Sequence, residues 1–334
     1  MVLRIESEGD GALPALTPRE RERGAAAGTP ADFSWRIYRE IVKRCWQKNS
    51  DHNLSLLAAG VAFYAFLSFV PLMAALIIVY GLVADASVVA RHMSLIVDLV
   101  PADAAAIIYD QLTQLTKSAA EKKGFGLLVA LLVALYGASR ASGAMISSLN
   151  IIYEEIGRRS YVRWTLVSAA LVGGAILMAV VGLFAASMLS LTGAWAAEIG
   201  SPAALLVQLL SWLIAAMLCI ATLGGIYRFA PNRADARWEW LNIGSLVATL
   251  LWLAATVGFG FYAARFGDYD ATYGSLGAVV VLLMWLYLSS YAVLLGGLIN
   301  AEIERQTARD TTTGPARRMG ERDAAMADTS AALE

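Results

Sequence analysis

Five stretches of the chain run without a charged residue: Leu54 to Ala84, Trp164 to Ala197, Ile199 to Tyr227, Leu241 to Ala264 and Ala271 to Ala301. A sixth, Phe125 to Ile152, is interrupted only by Arg140. Each exceeds the roughly 20 residues that a helix rising about 1.5 Å per residue needs to cross about 30 Å of hydrocarbon. The pattern predicts an all-α polytopic membrane bundle of six transmembrane helices, over about 54–84, 125–149, 164–190, 203–227, 241–264 and 274–301. Several runs are too long for one perpendicular crossing, so tilt or a kink is expected, and Pro71 is the candidate hinge of the first.

Outside these runs the period changes. Phe33, Ile37, Ile41, Val42, Cys45 and Trp46 recur at helical spacing among Arg36, Arg39, Lys43, Arg44 and Lys48, which predicts an amphipathic helix over 33–48. Such a helix suits an anionic inner leaflet, and equally suits packing on the protein's own polar face. Between the first two spans, Val88, Val89, His92, Met93, Ile96, Leu99 and Val100 share one helical face. Pro101 punctuates the pattern, and Ile107, Ile108, Leu112 and Leu115 continue it on a second helix. That loop is expected to form an outer, periplasmic helical hairpin, serving as a cap over the bundle or a lid over a substrate entrance. Residues 1–31 and 306–334 offer too little patterned apolar surface to offset ordering entropy, so both are expected to be disordered tails flanking a membrane domain over 32–305.

Composition agrees with the pattern. The 334 residues are 58% hydrophobic, with a mean hydropathy of +0.59, more apolar side chain than one soluble core requires. Charge supplies the orientation, because basic loops are retained on the cytoplasmic side. Of the 26 Lys and Arg residues, 20 fall in the termini and the two even-numbered loops, and five in the opposite loops. Both ends are therefore expected in the cytoplasm. No short basic start resembles a secretory signal, and Ala84-Asp85-Ala86 lies too deep to be a cleavage site. The two cysteines, Cys45 and Cys219, imply no disulfide framework, and two histidines, His52 and His92, cannot build a His-rich metal centre. No metal site and no cofactor are expected. The two halves of the chain show no repeat, which counts weakly against an inverted-repeat transporter.

Arg140 is the sharpest candidate, since a guanidinium near a helix centre costs about 2.5–3.5 kcal/mol on insertion scales. It either lines a polar cavity, holding an anionic group in its planar fork of donors, or snorkels to the headgroups. Its neighbours Gly137, Ala138, Ser139, Ala141, Ser142, Gly143 and Ala144 are small enough for close helix approach or for a cavity wall. Asn150, Asn300 and Glu302 fall at inner helix ends, where they could coordinate a cavity mouth or simply cap helices. Asp268 and Asp270 are too few for a divalent-ion site, and Asp270 suits an N-cap. Tyr262, Phe266, Tyr269 and Tyr273 form an aromatic interface cluster.

These residues also carry a resemblance. Ala58 through Tyr64 to Ser68 and Pro71, Tyr136 to Glu154 with Arg140 and Asn150, Tyr227 to Asn232, and Phe266 through Tyr273, Gly274, Trp285 and Tyr287 to Asn300, Ala301 and Glu302 resemble the YihY/virulence factor BrkB family over about residues 33–305. Tyr153 stands where the family pattern suggests Trp. The resemblance implies a six-span, multi-pass protein of the bacterial inner membrane, with lipid or envelope-component transport among its proposed roles. On that basis Arg140, Asn150, Tyr64, Tyr273, Asn300 and Glu302 are the candidate substrate-binding residues. The function expected is transport or flipping of a lipid or anionic envelope component, with membrane lipids as partners. The alternative is a membrane scaffold or interaction protein of the envelope. Some family members carry a ribonuclease label, and the residues argue against it here. Metal-dependent RNA hydrolysis needs clustered ligands, and RNA binding needs a basic groove with stacking aromatics. The chain is accordingly not expected to be an enzyme or to bind nucleic acid.

Overall fold

The structure is a computed structural model, and it describes residues 16–83, 120–156, 160–174, 201–265 and 275–334. The expected outer hairpin over 88–115 and the aromatic cluster at 266–273 lie outside the described residues.

Among the described residues, helices account for the apolar runs. After a short α1 (Pro18–Glu22) come α2 (Trp35–Asp51), α3 (Leu54–Val83), α4 (Ala120–Ile152) and α5, described over 161–174. Then follow α6 (Ser201–Phe229), α7 (Asn242–Arg265), α8 (Ser275–Glu304) and a terminal turn, α9 (Ala325–Asp328). Single 3-10 turns sit at Pro30–Asp32 and Trp238–Trp240. Among the described residues three stretches are long and apolar enough to cross a membrane, Leu128–Ile152, Asn242–Phe259 and Val279–Glu304. A fourth arises if α2 and Leu54–Phe69, which meet at a 63° bend, count together. The bend falls at Asn53, whose φ of 51 places it in the left-handed region that turns a chain sharply. α3 runs as one helix through Pro71.

The chain divides into two compact units, one of residues 1–62 and 142–334, the other of residues 63–141. In the smaller unit α3 and α4 approach closely. A methyl group at Gly137 would stand 2.8 Å from the Cα of Ser68, so only hydrogen fits there. In the larger unit α7 crosses α8 where Gly244 faces Gly296. The Asn300 side chain accepts from the Gly244 amide at 2.7 Å and donates to the Leu241 carbonyl at 3.0 Å. Trp252 Nε1 donates to Ser289 at 3.1 Å and Tyr227 to the Val293 carbonyl at 2.6 Å, so α8 is stitched to α7 and α6 by polar bonds in otherwise apolar seams.

Burial is concentrated at one end of this unit. Ile37, Ile41 and Cys45 of α2 meet Leu149, Tyr227 and Leu298 in one core where the helix ends converge. Away from that end large apolar side chains such as Leu213, Leu250 and Phe261 are exposed instead, as hydrocarbon-facing surfaces are.

Where the sequence predicts disordered tails, residues 16–31 and 306–334 are folded against the chain, while residues 1–15 lie outside the described residues. Residues 306–334 fold over the converging helix ends, and residues 23–27 join them. Arg23 donates to the Ala331 and Ala332 carbonyls, Gln306 donates to the Arg23 carbonyl at 2.6 Å, and the Ala308 amide donates to the Ala25 carbonyl at 2.9 Å. Arg322, fully buried, donates to the carbonyls of Ala308, Arg309, Arg317 and Ala327. Order here comes from carbonyls gathered around one guanidinium, and low apolar content therefore does not prevent it.

Candidate functional site

Two places concentrate polar chemistry, the converging helix ends and the midpoint of α4. At the first, α8 ends in Ala301-Glu302-Ile303-Glu304, and its two carboxylates, about 200° apart round the helix, meet different partners. Glu302 accepts from Arg44 of α2 at 2.7 Å. Glu304 receives both terminal nitrogens of Arg233 at 2.6 Å, with neither side chain exposed, and a further bond from Thr311. Arg233 lies over the ring of Tyr153, 5.1 Å from its centroid. Burial lowers the pKa of Arg233, but Glu304 outweighs it and the guanidinium's pKa is raised. The Tyr153 hydroxyl has no hydrogen-bond partner among the described residues, and burial raises its pKa despite Arg233. Nearby, burial holds the Glu155 carboxyl above its ordinary range against the bond it accepts from the Ala325 amide.

Beside this pair lies a cleft of about 480 Å³, lined by Arg163, Asn232, Arg233, Asp235, Thr313, Arg317 and Asp323 together with Ala234. Arg317 is bridged to Asp323 at 2.8 Å, and Arg233 is committed to Glu304. A polar group entering the cleft would therefore meet a mixed wall of guanidinium, amide and carboxylate. Among the described residues no His, Cys, Asp or Glu are grouped to hold a metal ion.

The predicted site residues separate. Asn150, Asn300 and Glu302 come to the converging ends, each engaged with the protein: the Asn150 side chain accepts from the Asn232 amide at 2.7 Å, and the other two are bonded as above. Asn150 thus fixes the turn that aims Arg233 at Glu304. Arg140 and Tyr64 belong to the other unit. Arg140 is exposed, sits midway along Leu128–Ile152, and its guanidinium stands 5.1 Å from the Tyr136 ring centroid. Tyr64 is exposed against the edge of Phe63, and Tyr273 lies outside the described residues. The neighbouring small residues are used for contact. Gly137 meets Ser68, Ser142 bonds to Ser168 of α5 at 2.9 Å, and Gly143 lies under the Trp164 indole. Sequence reasoning missed Arg233, Glu304, Tyr153 and Arg322. The one signal was the position of Arg233, directly after the Tyr227–Asn232 motif.

Long helices with exposed apolar flanks, closed at one end by a buried polar network, define an α-helical membrane protein. The family model for the virulence factor BrkB matches residues 45–320, and the chain belongs to that family. A UPF0761 membrane protein of Tolumonas auensis is 30% identical over 80% of this chain and 87% of its own. A UPF0761 membrane protein of Rhodospirillum centenum is 25% identical over 84% and 60%. A Bacillus subtilis protein whose name calls it ribonuclease-like, YfkH, is 24% identical over 58% and 71%. No solved structure matches.

Proposed function

We propose that the chain moves or flips an amphiphilic, anionic component of the envelope across the bacterial inner membrane, in six crossings with both ends in the cytoplasm. The observation that carries this reading is Arg140. It is a lone cation halfway along a membrane-length helix, exposed, and among the described residues paired with an aromatic face and no carboxylate. Holding a charge there costs about 2.5–3.5 kcal/mol on insertion scales, and an anionic headgroup supplies the missing partner. The bonded terminal segments support the topology, because ends that touch lie on one side and the number of crossings is even. A scaffold reading draws less support, since the described parts of the tails, residues 23–27 and 306–334, bond to each other and to the chain's own helix ends.

The test is reconstitution into vesicles with a headgroup-labelled anionic phospholipid, following the access of an impermeant quencher to the inner leaflet. Arg140→Ala is expected to reduce movement at least tenfold, with Arg140→Lys between it and the parent, at equal reconstitution. Full movement by Arg140→Ala overturns the reading.

A further inference from the structure

α2 has two faces, and the core takes up only one. Ile37, Ile41 and Cys45 are buried against α8 and its neighbours. On the opposite side Trp35, Val42 and Trp46 are 82%, 66% and 79% exposed. With Arg39 they follow at i, i+4, i+7 and i+11, a single stripe. Arg36 and Lys43, also exposed, extend the stripe on one flank. Two exposed tryptophans beside three cations and one carboxylate, the exposed Glu40 between Arg36 and Lys43, leave a net positive apolar surface, poor for water and suited to a zone that is apolar on one side and anionic on the other.

The position of the helix says which zone that is. Only His52 and Asn53 separate α2 from α3, and the two axes meet at 63°. A 17-residue helix is roughly 25 Å long, so over its whole length α2 withdraws roughly 11 Å along the α3 axis. Trp46 stays within roughly 4 Å of the level at which α3 begins, inside a headgroup layer roughly 5–8 Å deep. Arg36 and Arg39 reach back toward it on long stems. At the same end of the unit Phe229, Trp238 and Tyr161 are exposed as well, continuing an aromatic girdle beyond α2.

We infer that the outer face of α2 docks on anionic phospholipid headgroups of the leaflet that α3 enters, with Arg36, Arg39 and Lys43 on the phosphates and Trp35, Val42 and Trp46 at the acyl boundary. This stands independently of any transport by the chain. The charge complementarity is that of a basic helix with a negatively charged leaflet.

The experiment uses the full chain in vesicles of phosphatidylcholine with or without phosphatidylglycerol. An environment-sensitive fluorophore is attached through Val42→Cys. Both natural thiols are buried, and burial pushes Cys45 up to about 12, so the introduced thiol reacts first at neutral pH. Adding phosphatidylglycerol is expected to shift emission to shorter wavelength. Arg36→Gln, Arg39→Gln and Lys43→Gln together should erase the shift, as should salt high enough to bring the Debye length to about 3 Å. Each cation is worth roughly fivefold in affinity at such a surface, so the triple variant should need roughly a hundredfold more anionic lipid. All three side chains are exposed, and an unchanged thermal midpoint of the triple variant shows that the fold survives. Identical emission in both lipids overturns the inference, and so does a shift that the triple variant and salt leave intact.

Discussion

Arg233 and Glu304 show how strongly the fold depends on single charges. Breaking a fully buried pair strands one ion, at about 3–5 kcal/mol, whereas replacing both members with apolar groups is close to neutral. Arg233→Met should therefore lower the thermal midpoint of the purified protein sharply. Adding Glu304→Leu should restore most of the loss; a double variant as unstable as the single would contradict the pairing. His52 makes a pH-dependent contribution. Burial, assisted by Lys48, holds its pKa below the ordinary 6.5, against the pull of Glu154, Asp51 and Glu302. The Glu154 carboxylate is 3.8 Å from Nε2, too far to bond it. Between the two values the unfolded chain binds more protons than the folded one, so this contribution is intact above 6.5 and is lost as the pH falls through the folded value. The midpoint should fall between about pH 7.5 and about pH 5.5, and His52→Gln should flatten that fall in the same titration. In the sequence Arg140 stands out, as one charge against an apolar background. Arg233, Glu304 and Arg322 stand among other charges, where nothing local separates a buried ion from a solvated one.

Helices are the most legible level, because the hydrocarbon thickness sets a minimum length and the backbone must satisfy itself inside it. Less legible is which neighbour a face meets. In α2 the sequence groups Val42 and Trp46 with Ile41 and Cys45, although they point outward. One residue is a turn of about 100°, so adjacent apolar positions serve two different surroundings. The α7–α8 crossing rests on Gly244, where a Cβ would collide with the Gly296 carbonyl and the Asn300 amide. Gly244→Ala should force the helices apart and leave both Asn300 bonds unmade, at about 1–3 kcal/mol for each stranded group. Reduced detergent stability with new protease cleavage near residue 240 would be the sign; an unchanged midpoint would refute the crossing. Removing residues 307–334 should likewise destabilise the helix ends, because it uncovers Glu304. Tail deletion therefore does not by itself distinguish a scaffold from a transporter.

At the scale of the molecule, the family and its membrane nature follow from sequence, while the closure of one face by both termini does not. The contacts join residues some three hundred positions apart, and no local period records them. A cysteine pair replacing Ala25 and Ala308, whose backbones are joined by a 2.9 Å hydrogen bond, should form a disulfide under mild oxidation in intact membranes. Its absence, with both variants well expressed, would contradict the joined ends. That joining has a consequence for synthesis. At about 5–20 residues per second, roughly 15–60 s separate the emergence of residue 25 from that of residue 331 at the ribosome. Until then the early segment has nothing to bind, and the translocon has already committed every intervening loop. A chain that threads one crossing too few or too many leaves its two termini stranded in different compartments. The clasp can therefore close only in a copy whose two ends finish on the same side of the membrane.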